Sequence, residues 1–317
     1  EVVESNLHLI VMAQEMYPKI NKVISWGDSL GGHISQSLSE KYGIIDATAN
    51  IHMAGSATAQ YAFGGDILWL LRTYFDPTIK GGNYTQPEYA GDTRGYFEFL
   101  GDVQKLLVLL NALSTSIAAN PVTPAWPATA TTAPATLKGI PVRSAILLIG
   151  LLAGIPAQSK TYDASSGPVG PLETTFGVAI SPAVATLENI SRAIEFIVAV
   201  YDTEMKCGGG IYDNTKTDYA TRIGDNSDVF AAALSGKSAI AGMLAFLNPL
   251  NPAAPRFKSS DASLACLASQ SAYSGKITIP TITLSQTADP ITPPGYVQKL
   301  KNDYSRKKNC ARNRFFS

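Results

Sequence analysis

The chain lacks an excess of charge of either sign. Its 317 residues hold 25 Lys and Arg against 25 Asp and Glu, so the formal net charge is zero. A general electrostatic attraction to nucleic acid or to an anionic membrane is therefore not expected. Charged residues make up only 16% of the chain and hydrophobic residues 45%, with 26 Gly and 19 Pro. This composition predicts a globular protein with many loops and excludes a disordered one.

Cysteine is scarce, and its spacing does not match that of metal ligands. The odd count of Cys207, Cys266 and Cys310 leaves at least one thiol unpaired within the chain, and a bridge between the first two is one possibility. A set of acidic residues lacks the regular EF-hand loop, so we expect its members to cap turns and not to bind calcium: Asp202, Glu204, Asp213, Asp218, Asp225 and Asp228. No metal and no cofactor is predicted.

Long hydrophobic runs are also missing. The most apolar segment, Ala145–Ile155, is shorter than the ~20 residues of a membrane span. Pro141 and Arg143 interrupt its extension, so we expect a buried or lid helix and no transmembrane segment. The start of the chain, Glu1–Ser5, has neither the basic residues nor the cleavage site of a signal peptide. The low charge and the Thr, Ala and Pro-rich loops favour a secreted or periplasmic protein, with the cytoplasm as the alternative.

The most informative feature is a serine between glycines, at the point where a strand is predicted to turn into a helix. Residues 27–31, Gly-Asp-Ser-Leu-Gly, fit the nucleophile-elbow pattern G-x-S-x-G. Val23, Ile24 and Trp26 precede the motif as a short β-prone run, and apolar residues recur at helical spacing after it. The pattern indicates a catalytic nucleophile at Ser29. The alternative is a Gly/Ser loop that joins two buried elements.

Strand and helix patterns divide the chain into three segments. A helix over 6–17, the elbow strand and a strand over 47–53 form a first core segment, residues 1–55. Residues 56–275 show helical stretches between Gly/Pro-rich loops, including 67–74 and 103–113, and are expected to form a cap or lid insertion. The core resumes over 276–317, with a strand from Ile277 to Leu284, Asp289 at its C-terminal end and a helix over 296–304.

Three core segments carry a resemblance to a known superfamily: VISWGDSLGG, ATANIHMAG and IPTITLSQTADPITPP. They resemble the α/β-hydrolases, and more narrowly the bacterial serine esterases and lipase-like members with a large helical cap. The resemblance implies an α/β fold, a partial hydrolase core with a mainly parallel sheet and a mostly helical cap insertion. It also implies Ser29 as nucleophile, Asp289 as the acid and the backbone N–H of Leu30 as an oxyanion-hole donor.

The catalytic histidine of that superfamily has no counterpart in this chain. The triad order on the fold is Ser, Asp, His, but His8, His33 and His52 all precede Asp289. We expect structural or surface roles for all three. In this superfamily a loop before the elbow supplies the second oxyanion donor, and here only one helix precedes it. The sequence therefore predicts a hydrolase that is short at both ends and close to inactive on its own.

The predicted chemistry is hydrolysis of carboxylic esters with an apolar acyl group, by a Ser-His-Asp acyl-enzyme mechanism. A peptidase of the same fold, of the aminopeptidase type, is the nearest alternative, because the Ser/Asp pair does not distinguish the two substrates. A non-catalytic binding protein on a hydrolase scaffold is the second alternative, suggested by the missing histidine.

Overall fold

A computed structural model describes residues 2–85, 92–157, 162–163, 167–168, 180–270, 274–286, 288–293, 295–306 and 313–316. The fold is mixed α/β, with helices predominating. Its elements in chain order are α1 (Val2–Met16), β1 (Ile24–Asp28), α2 (Leu30–Lys41), β2 (Ala47–Ile51), α3 (Ala57–Tyr74), α4 (Arg94–Ala119), α5 (Ala135–Lys138), α6 (Val142–Ala153), β3 (Tyr162–Asp163), β4 (Gly167–Pro168), α7 (Ile180–Ala193), α8 (Glu195–Cys207), α9 (Ala220–Ile223), α10 (Ser227–Phe230), α11 (Lys237–Phe246), α12 (Asp261–Gln270), β5 (Thr281–Leu284), α13 (Gly295–Arg306) and β6 (Asn313–Phe316).

The chain forms two compact units. The first, called the sheet unit, consists of Glu1–Gln60 and Ala268–Ser317, and the second, called the helical unit, of Tyr61–Leu267. In the chain, the helical unit is therefore inserted between two parts of the sheet unit. Its bounds lie within the insertion over 56–275 that the sequence predicts.

The sheet unit is built on four parallel strands in the order β1-β2-β5-β6. In this register Trp26 of β1 lies opposite Ala49 of β2, which lies opposite Ile282 of β5. Parallel strands need long crossover connections. Along the chain, α2 connects β1 to β2, the helical unit is inserted after β2 and before β5, and α13 connects β5 to β6.

Strand β5 is shorter than the sequence suggested. It begins at Thr281 and not at Ile277, because Pro280 has no N–H to donate to a neighbouring strand. Ile277 is buried instead in a small apolar cluster with Met53 and Leu300, against which Ile279 packs.

Helix α2 covers one face of the sheet through polar contacts. Asn50 of β2 is fully buried and its Nδ2 donates to Oε1 of Gln36 at 2.7 Å. The Ser25 hydroxyl of β1 donates a hydrogen bond to the Ser35 hydroxyl of α2 at 2.9 Å. An apolar cluster of Val3, Leu38 and Ile45 packs helix α1 beside it. These polar side chains are thus hydrogen-bonded, as most buried polar groups are, whereas the buried hydroxyl of Thr283, which pairs with Asn50, has no partner among the described residues.

The opposite face of the sheet is apolar and exposed. Ile24 and Trp26 of β1 are 67% and 71% exposed, and Ile282 of β5 is 51% exposed. Because side chains alternate along a strand, these residues share the face that points away from α2. Parallel sheets are normally covered on both faces, whereas this apolar face is open in the described part of the chain.

The helical unit buries large aromatic side chains completely. Trp69 and Tyr74 of α3, and Phe75 directly after it, have no exposed surface. Trp69 stacks on Tyr219 with ring centroids 4.8 Å apart, and the Arg256 guanidinium lies 4.5 Å from the indole centroid. The segment predicted as a buried helix forms α6, whose residues are almost all buried. None of the described helices has the length and apolar character that crossing a bilayer requires.

A disulfide closes part of the helical unit. Cys207, the last residue of α8, is bonded to Cys266 of α12, 59 residues further along the chain. This is the pairing that the sequence left open. Cys310 lies outside the described residues.

Candidate active site

Ser29 has the backbone conformation of a sharp, strained turn. It lies between the last residue of β1 and the first of α2, with φ 54° and ψ −117°. A residue with a side chain seldom adopts this conformation, which costs on the order of 1–3 kcal/mol and is found mostly at functional sites. The predicted order of strand, turn and helix around the serine is confirmed.

Glycine is required on one side of this turn. A Cβ on Gly27 would lie 2.2 Å from the carbonyl carbon of Gly31, so the backbones approach too closely for any side chain. A Cβ on Gly31 would meet nothing within 4 Å, whereas one on Gly32 would lie 3.0 Å from the carbonyl oxygen of Ile51. The close packing therefore depends on Gly27 and on Gly32, which lies outside the pentapeptide motif.

Backbone hydrogen bonds tie the turn to the end of β2. The N–H of Ser29 donates to the carbonyl of Ile51 at 2.9 Å, and the N–H of Ala54 reaches the carbonyl of Ser29 at 3.4 Å. The strained turn is thus held by the neighbouring strand and not by its own residues alone. Ser29 itself is exposed at the C-terminal edge of the sheet, where open α/β sheets place their functional groups.

The residue after the serine has the features expected of an oxyanion donor. Leu30 is the first residue of α2, and the N–H groups of a first helical turn have no partner within the helix. Its side chain is 62% exposed. An apolar side chain and a backbone donor therefore both lie directly beside Ser29.

Asp289 lies in the segment that follows β5 and is almost fully buried. Its Oδ1 accepts the N–H groups of Ile291 and Thr292, both at 2.8 Å, and its Oδ2 accepts the Thr292 hydroxyl at 2.7 Å. All three bonds close its own loop. Strand β2 lies between β1 and β5, so the strands that lead to Ser29 and Asp289 are about 10 Å apart at a spacing of about 4.8 Å per strand.

His52 is the histidine that follows the strand next to the turn at Ser29. It follows β2 directly, and its N–H donates to the carbonyl of Leu284 in β5 at 2.8 Å. Its Nδ1 lies 2.9 Å from Oδ1 of Asp28, and its side chain is 25% exposed. No sequence pattern signals this pair, because the two residues are 24 positions apart in the chain and meet only through the pairing of β1 with β2.

The other two histidines are placed differently. His8 is exposed on α1, whereas His33 is buried in the first turns of α2. Burial lowers the pKa of His33, opposed by hydrogen bonding to the backbone at Ala54 and Gly55, so its imidazole is held neutral behind the elbow.

The acidic residues make structural contacts wherever these are described: Asp213 and Asp218 cap turns as expected, whereas Glu204 joins segments far apart in the chain. Asp213 accepts the N–H and hydroxyl of Thr215 at 2.9 and 2.5 Å, and Asp218 accepts the N–H of Ala220 at 3.0 Å. Buried Glu204 accepts the N–H groups of Asn83 and Tyr84 at 2.7 and 2.6 Å. Burial raises the pKa of Glu204, against those hydrogen bonds. The described residues contain no group of three or more His, Cys, Asp or Glu side chains that could hold a metal ion.

Comparison with known proteins adds no relative. No family model matches the chain, and neither a curated protein nor a solved structure matches it.

Proposed function

We propose that this protein is a serine hydrolase that acts on carboxylic esters, with Ser29 as its nucleophile. The observation that carries the proposal is the backbone of Ser29, an exposed serine with φ 54° and ψ −117° at the C-terminal edge of a parallel sheet. A nucleophile that must project from a tight turn between a strand and a helix requires such a conformation, and strain of this kind is found mostly at functional sites.

In the proposed reaction, Ser29 Oγ attacks the ester carbonyl while an imidazole takes its proton. The N–H of Leu30 donates to the oxyanion that forms. Loss of the alcohol gives an acyl-enzyme, which water then hydrolyses. In the arrangement that the sequence predicts, Asp289 orients the imidazole. A carboxylate has about four acceptor positions, so the three bonds within its own loop leave room for one more.

The exposed Leu30 side chain next to Ser29 supports an ester with an apolar acyl group as substrate. The strand order and the insertion after β2 support a hydrolase-type core with a helical cap. The Cys207–Cys266 disulfide supports a secreted or periplasmic location, because such bonds persist mainly in oxidising compartments.

The test is covalent labelling and turnover in the full natural chain. A fluorophosphonate probe should label Ser29, and p-nitrophenyl esters should be hydrolysed faster than aminoacyl p-nitroanilides. Ser29→Ala should remove the label and lower kcat by about 10⁶-fold, as loss of a serine nucleophile does. Ser39→Ala is the matched control, since Ser39 is a half-buried serine further along the same helix. Labelling that persists in Ser29→Ala would contradict the nucleophile, and faster amide turnover would contradict the ester substrate.

A further inference from the structure

Two strained residues lie side by side at the C-terminal edge of the sheet. Among the described residues of the sheet unit, the non-glycine positions with left-handed φ are Ser29 at 54° and His52 at 43°. Asp28 pairs with Ile51 in the parallel register, so Ser29 and His52 are the next residues of neighbouring strands. Such strain persists only where the surrounding structure holds it, and it concentrates at active sites.

The strained backbone of His52 accompanies a specific side-chain contact. Its Nδ1 lies 2.9 Å from the Asp28 carboxylate, which can only accept a hydrogen bond when ionised, so in the neutral ring Nδ1 carries the proton. Nε2 is then the atom with the free lone pair. Within the described part of the chain Nε2 makes no hydrogen bond, and it is not a buried atom.

We propose that His52 is the general base for Ser29 and that Asp28 is the residue that positions its ring. This inference rests on the proposed function, since it needs Ser29 as a nucleophile. It deepens that function by naming His52 as the imidazole that takes the proton, in place of the structural or surface role expected from its position in the sequence. The relation of Asp28 to His52 is that of an orienting acid to a catalytic histidine.

The proposed reaction needs only the ester, Ser29, His52 and water. As Ser29 Oγ bonds to the acyl carbon, its proton passes to His52 Nε2 and the carbonyl pair moves to oxygen. When the carbonyl reforms, the bond to the alkoxy group breaks and the Nε2 proton passes to the departing oxygen. Water repeats the sequence: its proton goes to Nε2, its oxygen bonds to the acyl carbon, and Ser29 leaves with the proton.

This assignment changes the role of Asp289. Its carboxylate accepts from Ile291 and from both the N–H and the hydroxyl of Thr292, so its role here is to hold the loop after β5. The carboxylate that contacts an imidazole in the described structure is that of Asp28. If Asp28 orients the imidazole, Asp28→Asn should lower the labelling rate more than Asp289→Asn. If Asp289 orients it, the order should be reversed.

The experiment measures fluorophosphonate labelling rates and p-nitrophenyl ester turnover in the full natural chain, with folding checked by circular dichroism. His52→Gly fits the left-handed backbone and leaves space for a free imidazole. We expect labelling to fall by about 10²–10⁴-fold, the usual contribution of a general base, and to recover when imidazole is added. His8→Ala is the control, because His8 is exposed on α1. Asp28→Asn should slow labelling by up to about 10⁴-fold, and by more than Asp289→Asn does.

A second variant separates a base from a structural residue. His52→Asn tolerates a left-handed φ and keeps an N–H donor for Asp28, but it has no basic nitrogen, so it should fold and remain slow. Wild-type labelling in His52→Asn or His52→Gly would overturn the proposal, as would failure of imidazole to restore the folded His52→Gly variant. Loss of labelling in Asp289→Asn alone would also overturn it. Labelling that survives Ser29→Ala would instead refute the proposed function itself.

Discussion

The two units of this protein differ in where they place a buried carboxylate network, an exposed tryptophan and a pair of neighbouring strained residues. In the helical unit, buried Asp66 accepts the hydroxyls of Tyr212 and Tyr219, both at 2.5 Å, and Arg222 at 2.7 Å. In the sheet unit, Trp26 is 71% exposed, and the strained residues Ser29 and His52 stand at one edge.

The helical unit satisfies its buried carboxylate, whereas the sheet unit leaves apolar surface and strain at its edge. Burial of Tyr219 beside Asp66 raises its pKa far above the ordinary value, so its hydroxyl stays protonated and donates to the carboxylate at every physiological pH. A network of this kind makes a unique, rigid core, and its polar groups are already bonded to one another. Strain at an exposed edge has the opposite effect on stability: it lowers the stability and is retained where activity requires it. We therefore expect structural substitutions to lower mainly the stability in the helical unit and mainly the reactivity at the elbow.

The largest expected effect on stability comes from the disulfide of the helical unit. The bond closes 59 residues between Cys207 and Cys266, and a cross-link of that length stabilises a fold by about 4 kcal/mol. Replacing both cysteines by serine should lower the free energy of unfolding of the helical unit by about that amount, measured by urea denaturation. Dithiothreitol should destabilise the wild type and leave the variant unchanged. Cys310→Ser, which keeps the bond, is the control. A wild type that is indifferent to dithiothreitol would show that the bond contributes nothing.

The next effect tests the strain of the elbow. In Gly27→Ala the new methyl group would clash with the Gly31 backbone, which should cost about 1–3 kcal/mol and abolish labelling of Ser29. Gly31→Ala, within α2, meets open space and should change stability by at most about 1 kcal/mol, in the stabilising direction. Thermal unfolding and the labelling rate measure the two effects. Equal losses in both variants would mean that the turn is not built as described.

Local patterns could predict several elements of the sheet unit and the turn at Ser29, but not strand β6 or the contact of His52 with Asp28. The alternation of Ile24 and Trp26 and the glycines around Ser29 led to β1, the turn and α2, which the structure confirms. The predicted start of β5 was wrong because the alternation of Ile277 and Ile279 is typical of a strand, whereas Pro280 separates these residues from β5. The contact of His52 with Asp28 depends on the pairing of β1 with β2 and on a left-handed φ at His52. Both are tertiary features that no local pattern carries.

The smallest expected effect tests the open face of the sheet. Trp26 is 71% exposed while Trp69 of the helical unit has no exposed surface. Trp26→Ala should therefore change the free energy of unfolding by no more than about 0.5 kcal/mol, whereas Trp69→Ala, the contrasting control, should cost about 3–5 kcal/mol. Iodide quenching gives an independent measure, since removal of Trp26 should remove the most accessible fluorescence. If Trp26→Ala lowers the free energy of unfolding by more than about 1 kcal/mol and iodide does not quench Trp26 in the wild type, this face is covered in solution. A cost of that size requires that the indole is buried in the folded protein.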